Sequence, residues 1–366
     1  GGTGEGRSIC LKNLNLAGCD LGGEAGPVFS LLPRSVECLD LSANRLRTPS
    51  VEGLASVLWS GWLQKILSLD LSDNPLGPSG LRALAKGLSS TPQSLSLQSL
   101  KLARTKARAE GMEALAEALK AKKTTSLQTL DLAENEMRPA GLKHLASAVN
   151  AEAVPRLIVL ILKKNFLSHV TARERDYTPA TELLSTSSLK KLEELDLSEN
   201  GLFDQVMEGG GGGEGGAVPL SAAAIAVPGR FPKLRRLDLG KGELETYDEG
   251  MCMSSLQLAA FAIAFLVEGA PSLEELEIPD GDLEEPPVGV FALSIAISAG
   301  RLAKLKGFKM CGRREMTGEA FATLGRSLAT GNTSLLQTLD LEMCRENPEE
   351  AVEAIAEAIR GGGLGS

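Results

Sequence analysis

One apolar template, L-x-x-L-x-L-x-x-N, recurs along this 366-residue chain and restricts its fold more tightly than any other feature. Its clearest copies are Leu127-Leu130-Leu132-Asn135, Leu192-Leu195-Leu197-Asn200 and Ile66-Leu69-Leu71-Asn74. Val36-Leu39-Leu41-Asn44, Leu157-Leu160-Leu162-Asn165 and Leu11-Leu14-Leu16-Cys19 follow closely. Five looser copies begin at Leu97, Leu234, Leu273, Leu305 and Leu336. Taking the second apolar position as the marker, the copies fall at 14, 39, 69, 100, 130, 160, 195, 237, 276, 308 and 339. Self-similarity at a period near 30 residues is the signature of a stacked-repeat architecture.

Each position in the template has a physical task. In a strand, side chains alternate between faces, so the L-x-L pair sends both leucines into one core. The Asn suits the bend that follows, because its side chain bonds backbone groups that lack a ladder partner. A helix with a 3.6-residue apolar stripe comes next, as in 79–88, 110–119 and 140–149. Strands stack about 4.8 Å apart while helices are about 10 Å wide. A parallel sheet backed by helices must therefore curve. The expected fold is an α/β solenoid, a horseshoe of about eleven repeats with a concave sheet and convex helices.

Repeats reading L-x-x-L-D-L-S-x-N-x-L-x-x-x-G-x-x-x-L-A-x-x-L resemble the ribonuclease-inhibitor-like class of leucine-rich repeats. That class includes the RanGAP proteins and the sensor ends of NLR receptors, and the resemblance covers nearly the whole chain. It implies an intracellular protein, cytoplasmic or nuclear, that binds partners along its concave face or loop rim. The six cysteines form no C-x-x-C pair and no zinc-ligand spacing. They also lack the dense terminal caps of extracellular leucine-rich-repeat proteins, which points to a reducing compartment. The longest apolar run, Leu258 to Val267, is too short to span a bilayer and reads as a buried helix. The chain starts at Gly1 and ends in a Gly-rich 361–366, as expected of a segment excised from a longer protein.

The domain reading is a single solenoid over 1–366. Regular repeats occupy 7–165, repeats with long insertions 166–255, and degenerate repeats 256–347, with a capping helix at 348–360. The three insertions all fall between strand and helix. They are 166–177, a second containing the Gly-rich loop 208–216, and 243–253. Insertions at one repeat position emerge on one edge of a solenoid. They read either as a partner-binding rim or as tolerated surface length. The glycine run favours the second reading for its own repeat, and it lacks the order of a phosphate-binding loop.

The outward strand positions can be read directly. The middle column runs Asn15, Asp40, Asp70, Lys101, Asp131, Ile161, Asp196, Asp238, Glu277, Lys309, Asp340. Its acidic character, with a net charge of −9, favours a protein partner bearing a basic patch and disfavours nucleic acid. An inherited Asp of the L-D-L-S consensus is the competing explanation. In the sixth repeat the column breaks: Val159 and Ile161 are apolar, and Lys163 and Lys164 follow. This group, with Arg173, Arg175 and Tyr177 of the first insertion and the acidic Asp131 and Asp196, is the expected contact site. Cover by the neighbouring loop is the alternative for the apolar pair. The basic group Lys101, Arg104, Lys106 and Arg108, and the acidic group 274–285, read as solvated edges.

No enzyme is expected. The only histidines are His144 and His169, and neither stands beside a nucleophile in the pattern. No cofactor, metal or membrane association is expected, and the chain is expected to be a monomer. Two alternatives stay open by resemblance: a RanGAP-like activator of a small GTPase, and the ligand-sensing end of a larger receptor or repair scaffold.

Overall fold

The computed structural model describes residues 10–168, 176–200, 202, 227–240, 253–282, 288–312, 318–341, 353, 355–357 and 360. It divides into two compact units, one of residues 1–137 with 147–157 and one of 138–146 with 158–366.

The first unit holds strands β1 (Asn13–Asn15), β2 (Cys38–Asp40), β3 (Ser68–Asp70), β4 (Ser99–Lys101) and β5 (Thr129–Asp131). They pair in sequence order, all parallel and in register, so that Leu14, Leu39, Leu69, Leu100 and Leu130 stand in one row. From β2 to β5 that row is buried. The strands are three residues long because the bend arrives at once. Asp40, Asp70 and Asp131 each accept a hydrogen bond from the backbone N–H two residues on, which turns the chain out of the ladder.

Helices α1 (Thr48–Trp59), α2 (Gly77–Ser89) and α3 (Arg108–Lys120) follow the bends, and α4 (Arg138–Asn150) runs from one unit into the other. Pro sits in the first two positions of α1, α2 and α4, where its missing N–H costs nothing. Close packing of the helices demands small residues. A Cβ on Gly87 of α2 would lie 2.7 Å from the Ala55 Cα of α1. The first repeat spans only 25 residues between markers, and a 3₁₀ helix at Gly26–Leu31 takes the place of its α-helix.

The second unit holds β6 (Val159–Ile161), β7 (Glu194–Asp196), β8 (Arg236–Asp238), β9 (Met253–Ser254), β10 (Glu275–Asp282), β11 (Gly307–Gly312) and β12 (Thr338–Asp340). The parallel order is β6-β7-β8-β10-β11-β12. All eleven predicted markers therefore lie in strands, and each unit has the architecture of an α/β leucine-rich-repeat solenoid. The additional strand, β9, was not expected. It ends the third insertion and pairs with the far end of β10, because β10 continues past the usual bend and offers further ladder groups.

Helices α5 (Thr178–Leu184), α6 (Ser255–Leu266), α7 (Val288–Ser298) and α8 (Gly318–Leu328) back this unit. The run 258–267, read as a buried helix, is buried on one face. Leu258, Phe261 and Phe265 are buried, but Ile263 is half exposed, since a solenoid helix covers the sheet with one face only. Of the predicted terminal helix, Glu353, Ile355, Ala356, Glu357 and Arg360 are described and are helical. No helix among the described residues is long and apolar enough to cross a membrane.

Candidate functional site

The bend asparagines are fully occupied by the fold. The amide of Asn74 donates to the carbonyls of Leu41, Leu71 and Ser72. Its carbonyl oxygen accepts from the backbone N–H groups of Asn44 and Leu46. Asn135 and Asn200 repeat the scheme in their own units. Thr105 takes the position in the fourth repeat and passes its hydroxyl to Asn135 Oδ1 at 2.8 Å. Each of these Asn side chains is at most 1% exposed. They link one repeat to the next and present nothing to a ligand.

Residues beside these asparagines take left-handed backbone angles, among them Ala43, Arg45, Arg104, Lys106, Glu134, Glu136 and Lys164. Their side chains form charged rows along the strand ends. Arg104 lies between Asp73 and Glu134, Arg108 pairs with Glu136, and Lys101 reaches Asp70 at 3.7 Å. The basic edge expected in the fourth repeat is therefore largely matched by its neighbours. At the other end of the strands, Arg235 meets Glu274 and Glu193, and Lys306 meets Glu274. Two cations on one carboxylate hold Glu274 down to about 2, so the acidic group at 274–285 begins with a neutralised member.

The outward strand positions carry the rest. Asp196 and Asp238 use one oxygen on the bend, accepting from Ser198 and Gly240. Part of the acidic column thus has a structural task at the bend. In the second unit the carboxylates of Asp196, Asp238 and Glu277 stand on successive paired strands. Burial first, then repulsion from Asp196 and Glu277, pushes Asp238 up to about 6. In the first unit, burial also raises Asp131, with Asp70 adding to it.

Val159 and Ile161 flank the buried Leu160 and are both half-buried. Their register partners are Glu194 and Asp196, so an apolar strand borders an acidic one. Lys163 and Lys164 both point to Glu199, at 2.8 and 3.8 Å. That pairing raises Lys163 above its ordinary value. Val159, Ile161, Lys163, Lys164 and Asp196 are thus neighbours on β6, β7 and their bends. Tyr177 lies elsewhere, one residue before α5, where its carbonyl accepts from the Thr181 N–H and hydroxyl. The insertion that carries it is closed at its base by the Asp176 N–H donating to Ser168 O. Arg173, Arg175, the Gly-rich loop 208–216 and His169 lie outside the described residues. Asp131 belongs to the first unit.

A feature the sequence reading passed over lies on β8, β10, β11 and β12. Their outward faces enclose a hollow of about 280 Å³. A glycine at 307, where the other copies of the template carry a side chain, was the available signal. Among the described residues no cluster of three His, Cys, Asp or Glu side chains has the geometry to hold a metal ion.

A family model described as Leucine Rich repeat matches residues 63–85 and 123–146. Among solved structures, a leucine-rich-repeat protein of Leptospira interrogans is 16% identical with a TM-score of 0.42, over 97% of this chain and 84% of that one. A TLR13–ssRNA13 complex is 18% identical with a TM-score of 0.41, over 87% of this chain and 45% of that one. At these values the likeness adds nothing to the fold argued from the repeats. No curated protein matches. The family match covers two of the repeats, one from β3 into α2 and one from β5 into α4, and the leucine-rich-repeat architecture extends beyond them through both units.

Proposed function

We propose that this chain is a non-enzymatic scaffold that binds a protein partner through the strand face of its second unit. One observation carries the reading. At β6 the two outward positions, polar on most other strands, are the half-buried Val159 and Ile161, set beside the acidic Glu194 and Asp196. An apolar centre with a charged border is the composition of a protein contact. The acidic column continuing through Asp238 and Glu277 favours a basic partner, and it disfavours a phosphate backbone. Intracellular placement, a monomeric state and membership of the ribonuclease-inhibitor-like class belong to the same proposal. Lys163 and Lys164 orient the edge through Glu199 and contribute little free charge. Arg173, Arg175 and Tyr177 add a rim contact, and Asp131 a separate acidic position.

The test uses the intact chain in its source cell. Ile161→Asp combined with Lys164→Glu is expected to abolish recovery of the partner while leaving the melting temperature unchanged. Partner recovery at the unaltered level would overturn the assignment of this strand. Accelerated GTP hydrolysis by a small GTPase on adding the purified chain would overturn the non-enzymatic reading.

A further inference from the structure

The hollow on β8, β10, β11 and β12 centres on a glycine that the fold does not require. Gly307 is the first residue of β11, in register with Glu275 of β10 and Thr338 of β12. Its column elsewhere carries Ser68, Ser99, Thr129, Val159, Glu194 and Arg236, so a side chain is the rule. Its backbone is not in the left-handed region, and a Cβ would meet only Glu275 Cγ, at 3.6 Å. That is ordinary contact. Neither conformation nor packing explains the glycine at this half-buried first position of the strand, where it gives up conformational order without a side chain in return. Its missing side chain leaves room in the hollow that the rest of the column would fill.

The lining says what approaches. Asp238, Glu275, Glu277 and Asp340 face the hollow, against two cations, Arg236 and Lys309. Arg236 stands 3.5 Å from Glu194, 3.8 Å from Asp238 and 3.7 Å from Glu275. Lys309 stands 3.3 Å from Glu277. All four distances exceed the roughly 2.7–2.9 Å of a direct charge-assisted hydrogen bond. A carboxylate offers about four acceptor positions, so these pairings leave capacity toward the space above Gly307.

We propose that this hollow receives a lysine or arginine side chain of a protein partner, with Gly307 leaving room for its stem and the carboxylates binding its head. The planar five-donor fork of Arg suits several carboxylates at once better than an ammonium does. This rests on the reading of the strand face as a protein-binding surface and adds to it a subsite removed from Val159 and Ile161.

The probe is the blocked tripeptide acetyl-Ala-Arg-Ala-amide, with its citrulline counterpart as the neutral control of like shape. Binding is followed by methyl NMR on the intact chain, at the pocket residues Leu276 and Thr338. Saturable shifts with the arginine peptide are expected, at least tenfold weaker with citrulline. Gly307→Val, which restores a side chain already tolerated at Val159, is expected to weaken binding tenfold or more with the melting temperature unchanged. Lys86→Gln, an exposed change on α2, is expected to leave it unaltered. Equal shifts from the citrulline peptide, or unaltered binding in Gly307→Val, would overturn the subsite. Should Gly307→Val lower the melting temperature, Gly307→Ser serves as the second variant, and unaltered binding there overturns the subsite as well. Loss of partner recovery in the Ile161→Asp, Lys164→Glu chain without peptide shifts at Leu276 and Thr338 would sink this subsite alone and spare the broader reading.

Discussion

Gly87, buried in the first unit, and Gly307, half-buried in the second, belong to repeats of the same plan, yet only one is held by the plan. A Cβ on Gly87 would collide with Ala55 backbone, so the helix layer dictates that residue. A Cβ on Gly307 would touch one flexible side chain at 3.6 Å. The same contrast runs through the strands. In the first unit most outward positions are small or fasten the bend, and the exception Lys101 pairs with Asp70 of the neighbouring strand. In the second they include the apolar pair at β6 and the charged enclosure around β11. Where a repeat obeys its template, its residues are accounted for by the stack. Where it departs without a structural reason, the departure points outward to a partner.

The largest effect that would sharpen this contrast is at the bend. Asn74→Ala strands the carbonyls of Leu41 and Leu71 and the N–H groups of Asn44 and Leu46 in a dry interior, while the Ser72 carbonyl keeps the Ala43 N–H. It should cost about 3 kcal/mol or more in urea unfolding. A loss below about 1 kcal/mol would deny the asparagine row its role in the scaffold.

Next come the two glycines. Gly87→Ala should lower stability by roughly 2 kcal/mol through overpacking. Gly307→Ala should be neutral or stabilising by about 0.5 kcal/mol, because a strand glycine is entropically costly. Equal losses at both sites would erase the distinction between them.

Asp238 offers a titration. Its carboxyl sits near 6 in the folded chain, against 3.8 ordinarily. Between those values the folded chain holds the proton more tightly than the unfolded chain. Its contribution to stability is therefore favourable in that window and declines as pH rises from about 4 to about 6. Asp238→Asn keeps the acceptor for Gly240 N–H and removes the charge. Stability at pH 7 should rise by roughly 1–2 kcal/mol, with a flatter pH profile between 4 and 6. An unaltered profile would show that burial and the neighbouring carboxylates do not raise Asp238 in the folded chain.

The smallest effect lies at the left-handed positions. Ala43 is exposed with φ at 55° and has no partner to lose. Ala43→Gly should raise thermal stability by about 0.5 kcal/mol, the relief of its Cβ strain less the entropy of a glycine.

Most of the fold was legible in the sequence because period and chemistry coincide. Eleven markers predicted eleven strand positions, and the Asn predicted the bend. Local templates do not encode pairings across repeats. The pairing of Lys163 and Lys164 with Glu199 depends on a residue some 35 positions away, set by an insertion of variable length. Strand β9 depends on β10 outlasting its own bend. The acidic column was visible, but its division between fastening the bend and facing outward needed the positions of Ser198 and Gly240. Gly307 was visible as a letter. Its meaning came only with the space around it.

The central claim is that the apolar strand β6 of the second unit, and not the matching strand β2 of the first, meets a partner. Cys38 and Val159 hold the same strand position in β2 and β6, both are half-buried, and neither fastens a bend. A photo-crosslinking residue placed at each, in the intact chain in its source cell, reads the claim directly. The account predicts a discrete protein adduct from position 159 and none from position 38. Adducts of equal yield from both, or an adduct from position 38 alone, would contradict it.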